Sequence, residues 1–308
     1  MRRFSVLLAV SCLLSAVYPQ WLETTLYLPD SLCGVTYPRC FAYNPANNTI
    51  YVAGDGNCVI AIDGATDRKI ARITAGEDIS ALCYNPTDNK LYCANSGSDN
   101  VTLIDGATNQ VIATITVGDY PSALCYNPTS SKVYCTNGSG DDITVIEGAS
   151  DSVIATVAAG DYPSALCYNP TNNKVYCANR SSDNITVIDG ASDSVVATVT
   201  TGDGPSALCY NPIDNKVYCT NYNSDNVTVI DGATNQVLRT IDVGDFPRDL
   251  CHNPQQNRMY VANYYGSSIS VLRDSMPGGG SRNFRHPASR VPDRNPPSSA
   301  ACCSCRGT

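Results

Sequence analysis

The chain has 308 residues with a formal net charge of −8, 16 cysteines, 19 tyrosines and two histidines. Two arginines precede residue 21, and five arginines with one aspartate follow residue 275, so the stretch between holds 13 basic against 27 acidic residues, near −14. That balance argues against nucleic acid or an anionic membrane as partner, because both need a basic face to neutralise phosphate. Two histidines cannot build a cage for copper, haem iron or catalytic zinc, and no nucleophile-elbow, phosphate-loop or Cys-His pattern is written in the chain, so no cofactor is expected.

Read from the start, Arg2-Arg3 followed by the apolar stretch Phe4 to Val17 predicts a secretory signal peptide over residues 1–20, cleaved between about Ala16 and Gln20. The stretch is too short to cross a bilayer and stay, so no transmembrane segment is expected in the mature chain. The expected destination is outside the cytoplasm: extracellular, cell surface or periplasm.

Residues 21–275 are periodic. Asn-Pro recurs at Asn44, Asn85, Asn127, Asn169, Asn211 and Asn253, spaced by 41 residues once and by 42 four times. An acid-Gly step follows at Asp63, Asp105, Glu147, Asp189 and Asp231, always 42 apart. Six copies of one unit are therefore present, and such a period marks a repeat architecture. Within a copy the apolar pattern alternates, the period of strands and not of helices. In the fourth copy it predicts strands at Ser164–Tyr168, Lys174–Ala178, Asn184–Ile188 and Ser194–Thr200, separated by turn-forming Asn, Asp, Gly and Pro. A four-stranded meander has two apolar faces and cannot hide them alone. Four strands per roughly 40–45 residues define an all-β propeller, here six-bladed with antiparallel four-stranded blades.

The sixth copy, Arg248 to Asp274, holds three strands before Met276-Pro277-Gly278 interrupts it. Leu22–Asp30 aligns without a gap on Val237–Asp245, an outer strand and its turn. The expectation is that this N-terminal strand completes the last blade and closes the ring. Residues 276–308, rich in Gly, Pro, Ser and Arg, are expected to be disordered.

Tyr92-Cys93-Ala94-Asn95, Tyr134-Cys135-Thr136-Asn137, Tyr176-Cys177-Ala178-Asn179, Tyr218-Cys219-Thr220-Asn221 and Tyr260-Val261-Ala262-Asn263 each precede a Val-Thr-Val-Ile-Asp-Gly-like run. These motifs resemble the YVTN family of propeller repeats, over residues 22–274. The resemblance implies a secreted or surface-layer propeller of bacteria or archaea, within the quinoprotein-like and amine-dehydrogenase-like group. The chain departs from the family pattern in carrying Cys where Val is common and six copies where seven is frequent. The ligands used by dehydrogenases of that group are missing, so the resemblance implies fold and not activity.

Cys83 and Cys93, Cys125 and Cys135, Cys167 and Cys177, and Cys209 and Cys219 flank hairpins symmetrically. That placement is expected to set both members on one face, within disulfide reach. The alternative is that cysteine is a small apolar filler between blades, since the same positions are Ala42 and Val52 in copy one and Cys251 and Val261 in copy six. Cys33 and Cys40 form a separate candidate bridge.

In a propeller, the loops between blades share a rim with those joining the two middle strands. Here the former read Gly-Asp-Tyr-Pro or close variants, and the latter Ser-Asp-Asn. Candidate ligand-binding residues are Tyr37, Asp119, Tyr120, Asp161, Tyr162, Asp203, Asp245 and Phe246, with the competing reading that they only shape turns and wedge between blades. The function expected is an exported, monomeric, non-enzymatic module that binds protein or glycan at the cell surface. The competing class is a propeller enzyme, lactonase-like or quinoprotein-like, with an active site in the funnel. Copies two to five are too alike to supply the asymmetric acid, base or metal ligand such a site needs.

Overall fold

The computed structural model describes residues 24–26 and 35–273. The signal peptide and the tail lie outside the described residues. Six antiparallel sheets follow one another along the chain, five of four strands and the last of three. In the fourth blade the strands are Pro163–Asn169, Lys174–Asn179, Asn184–Asp189 and Val195–Thr200, within a residue of the positions the alternating pattern gave. Every sheet keeps sequence order from the innermost strand outward, as short hairpins require. The fold is a six-bladed β-propeller.

Successive side chains of a strand point to opposite faces, so each blade has one face toward the next blade and one toward the previous. Ala81, Tyr92, Ala94, Val101, Leu103 and Ile115 of blade two meet Leu124, Val133, Cys135 and Ile146 of blade three. Equivalent sets fill the junctions of blades three and four and of blades four and five. Burying each such side chain stabilises by roughly 1.5–3 kcal/mol, which is why an isolated copy has no fold of its own.

Polar latches fix the spacing. Asn169 is fully buried; its carbonyl accepts the Thr171 N–H at 2.9 Å and its amide donates to Asn215 Oδ1 of the next blade at 2.8 Å. A Cβ at Gly232 would stand 2.6 Å from that amide nitrogen, so the acid-Gly step is a clearance requirement. Lys132 Nζ and Tyr134 Oη both donate to Asp193 in the outer turn of the following blade, at 2.7 Å each. Lys90 pairs with Asp151 likewise, at 2.7 Å.

The cysteine pairs do not bridge. Cys83 stands opposite Tyr92 and Cys93 opposite Leu82, a register one residue away from the symmetric one expected. The same offset holds at Cys125 with Tyr134, Cys167 with Tyr176 and Cys209 with Tyr218. The two members of each pair therefore lie on opposite faces of their blade. None of these eight is disulfide-bonded. The cysteines instead take their places in the cores between blades: Cys125 shares a core with Cys177, Cys167 with Cys219, and Cys40 with Cys93. Filler is the correct reading, and burial pushes up the thiols of Cys93, Cys135, Cys177 and Cys219, and that of Cys40 to about 12. Cys40 is thiol and not bridged to Cys33, while Cys58 is disulfide-bonded, to a partner outside the described residues.

The junction of blades six and one differs from the others. Ile269 and Val271 of blade six are 67% and 50% exposed where Val227 and Val229 of blade five are 0% and 4%. Of the predicted closing strand Leu22–Asp30, only residues 24–26 are described, and they are not a strand. The rest lies outside the described residues. Leu26 nevertheless packs against the face of blade one formed by Val52, Cys58, Ile60 and Ile62, as Ile241 packs on blade six. Leu26 is thus half-buried there, while described residues 24–26 make no strand pairing of the kind the alignment predicts.

Two predictions follow from the latches and the thiols. Lys174 and Tyr176 reach Asn235, not an aspartate, at 2.9 and 3.0 Å, and desolvation lowers the Lys174 pKa. Asn235→Asp recreates the Lys132 arrangement and is expected to stabilise by about 0.5–1 kcal/mol in urea unfolding, a gain that Lys174→Met abolishes. Peptide mapping after denaturing alkylation without reductant is expected to label Cys40, Cys83, Cys93, Cys125, Cys135, Cys167, Cys177, Cys209, Cys219 and Cys251, with Cys58 labelled only after reduction.

Candidate ligand-binding rim

Each interblade loop is tied to the middle hairpin of its own blade and of the one before. Asp141 Oδ1 accepts the Tyr162 N–H at 2.9 Å, Asp183 that of Gly204 at 2.9 Å, and Asp225 that of Phe246 at 2.8 Å. The Tyr162 carbonyl accepts from Arg180 N at 2.9 Å, and the Phe246 carbonyl from Tyr264 N at 2.9 Å. The carboxylates of the middle hairpins are thus turn-shaping. Asp119, Asp161 and Asp245 project as exposed side chains, and Asp203 accepts from the Asn223 amide at 3.0 Å.

The aromatic positions are strained. Tyr37, Tyr120, Tyr162 and Phe246 have φ of 46°, 59°, 54° and 53°, a left-handed conformation that is unusual for bulky residues. Blade five has Gly204 in the same place, at φ 68°. Glycine therefore serves the turn, and the rings persist at a cost that packing within the turn does not require. Backbone strain of this kind collects at functional sites.

The loops bring these rings into one arc. Tyr120 and Tyr162 lie 6.4 Å apart between centroids. The Arg180 guanidinium stacks 5.2 Å from the Tyr222 ring, and Tyr222 contacts Phe246 edge-on at 4.9 Å. Phe246 contacts Tyr265 at 4.7 Å, Tyr265 contacts Tyr264 at 5.0 Å, and Arg248 stacks 5.1 Å from Tyr264. Between the two halves an open depression of about 500 Å³ is lined by Tyr162, Arg180, Ser181, Asp183, Asp203 and Asn223. Burial raises the Tyr162 hydroxyl pKa, helped by Tyr120 and opposed by Arg180. Burial also raises that of Tyr222, helped by Tyr265 and opposed by Arg248 and Arg180.

Of the sequence-predicted residues, Tyr120, Tyr162 and Phe246 belong to the arc, and Asp203 to the depression. Tyr37 is 79% exposed and makes no ring contact among the described residues. Arg180, Tyr222, Tyr264, Tyr265 and Arg248 were not anticipated. The signal was available down the column of the repeat: the place held by Ser96 and Gly138 becomes Arg180, Tyr222 and Tyr264 in the last three copies.

Other odd residues are structural. His252 Nε2 lies 3.2 Å from Asn257 Oδ1, where Tyr168 and Tyr210 hydroxyls meet Asn173 and Asn215. Arg39 stands where blades two to five have serine and blade six has Arg248; Ser122 Oγ donates to Pro163 O, and Arg39 Nε to the equivalent Ile79 O. Among the described residues no three His, Cys, Asp or Glu side chains converge as a metal site would need.

A ring of antiparallel blades carrying an aromatic arc on its loop rim defines the protein as a β-propeller with a candidate ligand surface. Residues 2–218 match the model of the YNCE-like beta-propeller family, and the chain belongs to that family. No curated protein matches it. Among solved structures, hydrazine synthase of Kuenenia stuttgartiensis is similar in fold, with a TM-score of 0.52 and 17% identity over 83% of this chain and 99% of that one.

Asp141→Ala removes the acceptor for the Tyr162 N–H and places alanine at φ 55°. It is expected to cost about 1–2 kcal/mol, while Asp141→Asn, which keeps an acceptor, and Asp161→Ala, whose carboxylate has no hydrogen bond here, leave thermal unfolding nearly unchanged.

Proposed function

We propose that the protein is an exported, non-enzymatic binding module whose ligand surface is the aromatic and arginine arc of blades three to six. The observation that carries this reading is the strain at Tyr120, Tyr162 and Phe246, at turns where Gly204 shows that glycine fits. Rings kept at such positions, edge-exposed and flanked by carboxylates, amides and guanidinium groups, suit a flat, partly polar ligand. The leader-like N-terminus supports export, and the cell-surface partner is a glycan or protein. A rigid scaffold with varied loops needs no reacting group to serve this role.

Tyr162→Gly and Phe246→Gly test the reading, since neither needs the turn to change. Both variants are expected to keep the unfolding midpoint of the parent within a few degrees and to lose at least ten-fold in affinity for whatever extracellular glycan or protein the parent captures from arrayed ligands. Unchanged affinity in both variants would remove the arc from consideration. Steady turnover of a lactone or an alcohol with an electron acceptor, abolished by a funnel substitution, would replace the module with an enzyme.

A further inference from the structure

Arg180 is out of keeping with its setting. The region between residues 21 and 275 carries a large excess of carboxylates, yet Arg180 makes no ion pair among the described residues. Its guanidinium lies on the Tyr222 ring at 5.2 Å and is close enough to the Tyr162 hydroxyl to oppose the rise that burial gives its pKa. The two acids lining the depression each hold another donor: Asp183 the Gly204 N–H and Asp203 the Asn223 amide. Arg248, over the Tyr264 ring at 5.1 Å, adds a second guanidinium that opposes the rise in the Tyr222 hydroxyl pKa. Copies two and three have Ser96 and Gly138 at this position, so the turn itself does not call for arginine.

We propose that Arg180, stacked on Tyr222 at the edge of the depression, is the anion-binding point of a carbohydrate site that takes a sugar bearing an isolated carboxylate. This rests on the arc being the ligand surface. The planar fork of an arginine matches a carboxylate in two parallel hydrogen bonds, and stacking on an aromatic ring holds the fork in place beforehand. Tyr162 offers a ring beside it for the apolar face of a pyranose, and Ser181 and Asn223 offer donors and acceptors for hydroxyls. The strong negative charge of the ring selects further. Asp183 and Asp203 line the same depression and lie inside the screening length of roughly 8 Å, so a carboxylate is tolerated only where it makes direct two-point contact with Arg180, while a densely charged polymer meets further acids along its length. A single uronic acid on an otherwise neutral chain satisfies both conditions.

Calorimetric titration of the exported chain with three probes decides the matter: a xylo-oligosaccharide carrying one glucuronic acid, the same oligosaccharide without it, and a heparin hexasaccharide. The acid-bearing xylo-oligosaccharide is expected to bind at least ten-fold tighter than the neutral one, with heparin weakest. Arg180→Ala is expected to erase the difference between the first two, and Arg180→Lys, which keeps the charge but loses the fork, to restore part of it. Equal affinity for acidic and neutral probes, sensitive to Tyr162→Gly but not to Arg180→Ala, would overturn the anion point and leave the arc standing. Tightest binding of heparin would overturn the selection for an isolated charge. Binding of none of the three overturns the carbohydrate site, and the arc itself then stands or falls on the two glycine variants. If Arg180→Ala does not fold, the parent's preference between the acidic and neutral probes and the Arg180→Lys result carry the decision.

Discussion

Everything in this molecule depends on a blade burying both of its faces at once. A single copy presents Tyr176, Ala178, Ile185 and Val187 on one side and Leu166, Val175, Cys177 and Ile188 on the other, and these belong to two different cores shared with its two neighbours. Burial on this scale is the dominant favourable contribution to folding. The buried asparagines then convert a greasy stack into one with a set spacing, because an amide such as Asn169 finds its partner only when the following blade sits at the right height.

That constraint also explains how uneven the rim is allowed to be. The blade faces must repeat, since each has to fit the next, but the loops above them need only reach across. Copies four to six use that freedom to place Arg180, Tyr222, Tyr264 and Tyr265 where copies two and three keep small residues. The left-handed turns at Tyr162 and Phe246 hold two of the rings against backbone preference, with Asp141 and Asp225 fixing each turn from beneath. A scaffold stabilised elsewhere can carry that strain locally.

The repeat made most of the architecture legible. Period, strand edges and blade count followed from the Asn-Pro spacing and the alternating pattern, because both faces of every strand are under the same demand. The cysteine register was not legible, since a hairpin that looks symmetric in letters can close one residue away, and a shift of one sends a side chain to the other face. The arc was half legible. The strained rings stand in a recognisable Gly-Asp-Tyr-Pro loop, whereas Arg180 and Tyr222 gain meaning only when the fold brings the hairpin of one blade beside the interblade turn of the next. Closure by Leu22–Asp30 rested on an alignment alone, and Leu26 follows it in packing but not in pairing.

The lysine and tyrosine latches point one way round: Tyr51 reaches Asn109, Lys90 reaches Asp151, Lys132 reaches Asp193 and Lys174 reaches Asn235. Copies two, three and four are thus each both a giver and a receiver of the same handshake. Unequal recombination between near-identical stretches of gene can remove or add a whole unit and still leave each giver a receiver. The girth of the ring is in that sense cheap to alter over generations, whereas the arc, written across unlike copies, is inherited only as a block.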